Sequence, residues 1–256
     1  MRRQLWRTSY QLLAKRVPTP DWEFMNYGYA STGADVDFPP LEPSEEPNRF
    51  CIQLYLHTIG GTDLEGRDVL EVGSGRGGGA SYLCRELGPR TVTGLDFSEG
   101  AVQLSNRFRR VPRLEFVWGD ALAMPFPEEA FDVVINIESS HCYEDMDIFL
   151  AEVYRVLRPG GRFFFADLRS REGAERLINQ LESCELTLES QTDITPNVLA
   201  ALELDSARKQ ALIEELIPRL MHRPIRAFAG IEGSLNHRRL KSGAYRYLSA
   251  RLVKRV

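Results

Sequence analysis

The run DVLEVGSGRGGGASYL, Asp68 to Leu83, constrains the fold more than any other part of the chain. Val69, Leu70 and Val72 suit a parallel strand covered on both faces, Gly73, Gly75 and Gly77 let the backbone turn sharply, and Gly78 to Leu83 opens a helix. A strand, a turn without side chains and a helix in direct succession allow a ligand to approach the backbone closely. An acid, Asp96, closes the following strand. The unit reads as a nucleotide-cofactor site.

Gly73-x-Gly75-x-x-Gly78 also fits the dinucleotide fingerprint, and its distance from Asp96 suits an acid on a ribose hydroxyl. Charge separates the two readings. A pyrophosphate favours basic residues and a bare helix N-terminus, whereas here carboxylates follow three successive strand-like runs: Glu71 in VLEVG, Asp96 after TVTGL and Asp120 after LEFVWG. In a doubly wound sheet they converge at the carboxyl ends of neighbouring strands, where ligands bind. Such a cluster suits a cationic nucleoside. An NAD-dependent oxidoreductase on the same glycine pattern and a non-catalytic binding protein stand as alternatives, which binding of labelled cofactors separates.

Strands and helices alternate onward: strand 68–72, helix 78–87, strand 91–95, helix 98–109, strand 114–117, strand 131–136, helix 145–156 and strand 162–167. A helix near 171–183 and a strand near 186–192 follow. The alternating units predict an α/β protein with a parallel sheet and helices on both faces, which the later strands extend to a doubly wound, Rossmann-like sheet of seven strands. Leu199, Leu202, Leu212, Leu216 and Leu220, set among charges, predict a C-terminal lid insertion of one or two helices broken before Pro224. The final AYRYLSARLV predicts an edge strand.

Ahead of the sheet, residues 2–17 place Trp6, Tyr10, Leu13 and Val17 at helical spacing beside Arg2, Arg3, Arg7, Lys15 and Arg16, a basic amphipathic helix. Its apolar face covers the core or a neighbouring copy in a homo-oligomer, lies on a membrane surface, or closes over the substrate pocket; the lid is the functional expectation. Pro39, Pro40, Pro43 and Pro47 make residues 31–48 a wrapping loop, and Asn48 to Ile59 is helical by the spacing of Phe50, Leu54 and His57. The expected organisation is an N-terminal helix and loop at 1–47, a cofactor-binding core at 48–170, and a C-terminal part of the same domain at 171–256 carrying lid helices and the last strands.

Four stretches in order resemble the class I S-adenosylmethionine-dependent methyltransferases: the glycine loop, Asp96, WGDALAMPFPEEAFDVVINIESSHCY (Trp118 to Tyr143) and LRPGGRFFFADL (Leu157 to Leu168). The resemblance implies S-adenosylmethionine as cofactor, with Gly73 and Gly75 facing its methionine part, Asp96 the ribose hydroxyls, Asp120 and Ala121 the adenine, Asn136 the neighbourhood of the methyl donor, and Glu71 and Phe97 also among the cofactor-binding residues. Outside that site, EPNRFCIQLYLHTI, the triple glycine, NIESSHCY and FAGIEGSLNHRRLKSGAYRY resemble bacterial methyltransferases of polyketide-derived natural products and lipids, of the phthiotriolone dimycocerosate type. This implies O-methylation of a hydroxyl on a lipophilic metabolite. Related enzymes methylate carbon on isoprenoid chains, which is the second reading.

A sulfonium methyl is already electrophilic, so the protein must align the acceptor, exclude water and remove a proton when the acceptor is an alcohol. His141, five residues past Asn136, is the candidate base, since an imidazole titrates near neutrality. Glu138 is the candidate to orient its ring. Cys142 reads as a small buried hydrophobe rather than a nucleophile, and His57, His222 and His237 as core or surface residues. Trp22, Phe24, Tyr27 and Tyr29 form a cluster too dense for an exposed linker; they are either core or, with Tyr143, Phe228 and Ile231, the wall of an apolar acceptor pocket.

Composition sets the outer bounds. With 256 residues, 43% hydrophobic, the chain can bury the core of one α/β domain. A net charge of −4 gives no general attraction for nucleic acid. The four cysteines, Cys51, Cys84, Cys142 and Cys184, form no C-x-x-C pair, so neither a zinc site nor a disulfide framework is expected, and a reducing cytoplasm is. There is no long apolar run and no leader pattern, which predicts no membrane insertion. No trio of acidic and amide ligands suggests a metal, so chelators are expected to leave activity intact.

Overall fold

The computed structural model describes residues 19, 20, 22–33 and 38–256; the predicted amphipathic helix at 2–17 lies outside the described residues. Seven strands form one sheet: β1 (Asp68–Val72), β2 (Thr91–Asp96), β3 (Leu114–Trp118), β4 (Phe131–Ile137), β5 (Leu157–Ser170), β6 (Thr187–Asp193) and β7 (Tyr245–Val253). Their order is β3-β2-β1-β4-β5-β7-β6. The first five pair in parallel, and β7 runs antiparallel to both β5 and β6. The chain winds outward from β1 through β2 to β3, then returns to β4 on the other side of β1. The crevice at the carboxyl ends of β1 and β4 is therefore the switch point where this topology leaves room for a ligand.

The strands read as continuous apolar runs because both faces are covered. Val69, Ile135, Phe164 and Ala166 enter one buried cluster with Leu54 and Leu83; Leu70, Val134, Phe163 and Phe165 enter the other with Phe149, Val153 and Leu177. The period-two alternation of side chains along a strand thus sends neighbouring phenylalanines to opposite layers. Helices α1 (Arg49–Ile59) and α2 (Gly78–Glu86) cover the first face, and α4 (Met146–Val156) and α5 (Arg171–Ser183) the second, with α3 (Glu99–Phe108) beside β2 and β3. Local chemistry starts and stops them. Ser98, Asp145 and Ser170 cap α3, α4 and α5 by accepting N–H bonds from the first turn, and Gly60 in the left-handed region, φ 60°, closes α1.

Between β6 and β7 the chain inserts α6 (Thr195–Leu204), α7 (Ser206–Leu216), α8 (His222–Phe228) and α9 (Leu235–Lys241). Ile213, Ile217, Ile225 and Ile231 make a small core of their own, against which Trp22 and Met25 pack. The segment 22–30 is tied to this insertion. Ala30 and Asn197 exchange bonds, Lys209 Nζ donates to the Tyr27 carbonyl at 3.2 Å, and Asn236 Nδ2 donates to the Tyr27 hydroxyl at 2.9 Å. No helix among the described residues is long and apolar enough to cross a membrane.

Two expectations need correction. The final strand is interior rather than edge: β7 lies between β5 and β6, with Tyr247, Leu248, Ser249 and Ala250 buried, while the half-exposed β6 takes the edge. Alternating side chains identify a strand with two environments, but not its neighbours. β5 also begins at Leu157, five residues before the expected start, because Leu157 pairs with Phe131 before Arg158–Gly161 loops out and pairing resumes at Arg162 with Val133.

Candidate active site

β1 ends in a turn whose glycines are required by their surroundings. Gly73 sits at φ 78°, and a Cβ there would fall on the Ser139 hydroxyl. The turn is held to β2 by Gly73 and Ser74 N–H bonds to the Leu95 carbonyl at 2.7 and 3.0 Å. Asp96, at the end of β2, accepts from Gly75 N–H at 2.7 Å through one carboxylate oxygen and from Ser98 N–H at 2.8 Å through the other. Burial raises its pKa to about 6 against the lowering effect of those two donors. Both oxygens retain acceptor capacity toward the cavity beside them.

That cavity, about 1240 Å³, lies over the switch point and is lined by Gly73, Ser74, Gly75, Asp96, Phe97, Asp120 and Ala121 on one side. Its opposite wall carries Ile137, Glu138, His141, Cys142, Tyr143 and Leu168, and the segment 22–30 with the lid insertion contributes Phe24, Met25, Tyr27 and Phe228. Expected cofactor and acceptor residues thus share one space. Several others do not reach it. Glu71 stands on the same strand face as Val69, so its side chain enters the α1–α2 layer, 1% exposed, and accepts the Tyr55 hydroxyl bond. Burial raises its pKa to about 7. Asn136, fully buried, ties the end of β1 to the loop after β4 by donating to Val72 O at 2.9 Å, Ser139 Oγ at 2.7 Å and Tyr143 Oη at 3.0 Å. Tyr29 stacks on His57 at 4.2 Å, and Trp22 packs on the isoleucine core with Arg76 5.7 Å over its ring.

The loop after β4 turns through a short 3-10 segment, Ser140–Cys142, which carries His141 to the cavity wall. Its ring is oriented by Asp167, not by Glu138. Nδ1 lies 2.8 Å from Asp167 Oδ1, and the His141 backbone N–H donates to Oδ2 at 2.8 Å. Asp167 is fully buried at the end of β5 and also receives Ser140 Oγ at 2.6 Å and the Arg169 guanidinium at 2.9 Å. Burial works against its charge, but His141 and Arg169 hold its carboxyl well below the usual range. Burial likewise lowers the His141 pKa, yet the Asp167 charge and hydrogen bond carry it well above the usual imidazole value. Glu138, in the left-handed region at φ 53°, instead accepts the Tyr27 N–H at 2.6 Å and the Tyr247 hydroxyl at 3.0 Å, and burial raises its pKa to about 8.

Asp167 was legible by the same signal as Asp96 and Asp120, an acid at the carboxyl end of a buried strand, here after FFFA. The positions of Met25, Arg169 and Asn236 in the cavity wall had no such signal, because segments distant in sequence bring them there. Among the described residues no group of three or more His, Cys, Asp or Glu could hold a metal ion.

Residues 70–165 match the family described as a methyltransferase domain. The phthiotriol/phenolphthiotriol dimycocerosates methyltransferase of Mycobacterium tuberculosis is 40% identical over 245 residues, covering 96% of this chain and 90% of that one. The fatty-acid O-methyltransferase of Mycolicibacterium smegmatis is 38% identical over 246 residues, covering 95% and 88%. Geranyl diphosphate C-methyltransferase of Streptomyces coelicolor, solved with Mg2+, geranyl diphosphate and S-adenosyl-L-homocysteine, shares the fold with a TM-score of 0.65 at 18% identity, over 96% of this chain and 98% of that one.

Proposed function

Because this chain belongs to the class I S-adenosylmethionine-dependent methyltransferases, we propose that it methylates a hydroxyl oxygen of a lipophilic acceptor, a polyketide-like or other lipid of secondary metabolism. The observation that carries the reading is the His141–Asp167 pair opening into the same cavity as the glycine turn and Asp96. Relatives that act on phthiotriol dimycocerosates and on fatty acids support a lipid acceptor. The four free cysteines support a reducing, cytoplasmic setting.

The residues present fit the cofactor. The Asp96 carboxylate, already aimed by two backbone donors, is suited to receive a ribose diol; Asp120 and Ala121 suit the adenine, and the Gly73–Gly75 backbone the methionine portion. S-adenosylmethionine supplies the activated methyl group. The chain's own task is to hold the acceptor, exclude water and take a proton. With Nδ1 committed to Asp167, Nε2 of His141 is the nitrogen that receives the hydroxyl proton, and Asp167 stabilises the imidazolium that results. Phe24, Met25, Tyr27, Tyr143, Leu168 and Phe228 provide an apolar lining, and segment 22–30 with α6–α9 forms its cover. We read residues 171–256 as the C-terminal part of the same domain as the core at 48–170, supported by the insertion of β7 between β5 and β6.

The decisive experiment supplies isotopically labelled S-adenosylmethionine with a panel of hydroxylated polyketides, lipid alcohols and prenyl compounds, and identifies products by mass spectrometry. A methyl ether on a lipophilic hydroxyl is expected. Methylation only at carbon, or of prenyl compounds alone, rejects the reading.

A further inference from the structure

Arg239 is a basic residue of the cavity wall that the proton transfer leaves unused. It stands on α9 three residues after Asn236, so both project from one face of that helix, and both line the cavity. Its guanidinium lies 5.2 Å over the Tyr245 ring, with one nitrogen 3.4 Å from the Tyr245 hydroxyl. Tyr245 in turn pairs with Ser170 across β5 and β7, and Ser170 lines the cavity too. This wall therefore presents a guanidinium, an amide and two hydroxyls.

Two nearby cations have carboxylate partners: Arg169 has Asp167 at 2.9 Å and Lys241 has Glu203 at 3.1 Å. Among the described residues no carboxylate stands within ion-pair distance of Arg239. Glu138 is turned to the Tyr27 N–H and the Tyr247 hydroxyl. Asp96 and Asp120 line the cavity beyond β2 and β3, where the cationic cofactor is assigned, and the Arg239 guanidinium lies on the α9 wall. A half-buried guanidinium stacked on an aromatic ring in a cavity wall, with no acid within ion-pair distance, is suited to a carboxylate or phosphate oxygen.

We propose that Arg239, assisted by Asn236 and Tyr245, binds an anionic group on the methyl acceptor, separate from the oxygen that is methylated. The inference rests on the hydroxyl reading above and narrows its substrate class to lipids carrying both a hydroxyl and an acidic group. The two groups are distinct for a chemical reason. A carboxylate is already deprotonated at neutral pH and needs no base, whereas the reacting oxygen sits in a cavity that holds the His141–Asp167 pair.

Binding tests this apart from catalysis. Titration calorimetry on the protein saturated with S-adenosylhomocysteine compares hexadecanoic acid with methyl hexadecanoate, neither of which carries a hydroxyl. The acid is expected to bind about tenfold tighter, as a charge-assisted pair gives. Arg239→Gln is expected to bring the ratio to about one, and Arg239→Lys to retain part of it. Equal affinity for acid and ester, or an unchanged ratio in Arg239→Gln, overturns the proposal. With hydroxyhexadecanoic acid and its methyl ester as acceptors, the acid is expected to have the higher kcat/KM and to give a methyl ether, while methyl-ester formation at its carboxylate overturns the separation of the two groups. Absence of transfer to every hydroxyl in the wider panel, with the calorimetric preference intact, counts against the hydroxyl reading and leaves the anion site standing.

Discussion

As the proposed base, His141 must be unprotonated to accept a proton; burial lowers its pKa, yet Asp167 carries it well above the usual imidazole value. Turnover is therefore expected to climb as pH rises past neutrality. Asp167→Asn removes the charge that raises the imidazole, so the rising limb of kcat against pH should move to lower pH while the plateau drops; an unmoved limb denies Asp167 its positioning role. His141→Ala should lower kcat by roughly 10²–10⁴-fold with cofactor affinity retained. Asp96 allows a separate test. Asp96→Ala deletes the proposed acceptor for the ribose hydroxyls, and S-adenosylmethionine affinity measured by calorimetry should weaken by roughly 10–100-fold. At this scale the sequence singled out His141 and Asp96, which both line the cavity, but chose Glu138 rather than Asp167 as the carboxylate beside the imidazole. Glu138 is three residues away along the chain and Asp167 is 26, and the turn at Ser140–Cys142 makes the distant one the neighbour.

The elements of the first half were readable because each carries its own signals: apolar strands, glycine turns, and serine or aspartate caps at Ser98 and Asp145. How α2 meets α1 was not, since it depends on the space at Gly79. A Cβ at Gly79 would land in the ring of Tyr55, itself wedged between Glu71 and Phe24, whose ring lies 6.1 Å away. Gly79→Ala should lower stability by about 1–3 kcal/mol through overpacking, seen as a reduced Tm in thermal unfolding. Replacing Tyr55 by Leu in the same chain should make the two losses less than additive, because the clash then has no ring to meet. Full additivity would show that the two helices do not share this contact.

For the whole molecule, stability should depend on pH through the carboxyl sealed beneath the glycine turn. Burial raises Glu71 from its ordinary carboxylate value to about 7. The folded protein thus binds a proton more tightly than the unfolded chain, so this group's contribution is complete below about pH 4.5 and is lost as pH rises through about 7. Without cofactor, unfolding free energy in denaturant titrations should fall across that window, by on the order of a few kcal/mol for this group alone. Glu71→Gln, which imitates the protonated form, should flatten the fall. An equal slope in the variant would assign the pH dependence to other groups.

Sequence alone determined the alternation of strands and helices, the glycine turn and the acids that end β2 and β3, because each follows from local spacing and from the burial of both sheet faces. Only the tertiary structure decided that β7 enters the sheet between β5 and β6, that Glu71 and Asn136 stand behind the cavity rather than in it, and that Asp167 holds His141. The division has one physical cause. Periodicity tells which way a side chain faces relative to its own backbone, whereas contact between groups far apart in the chain depends on how the elements pack, and that arrangement is a property of the folded whole.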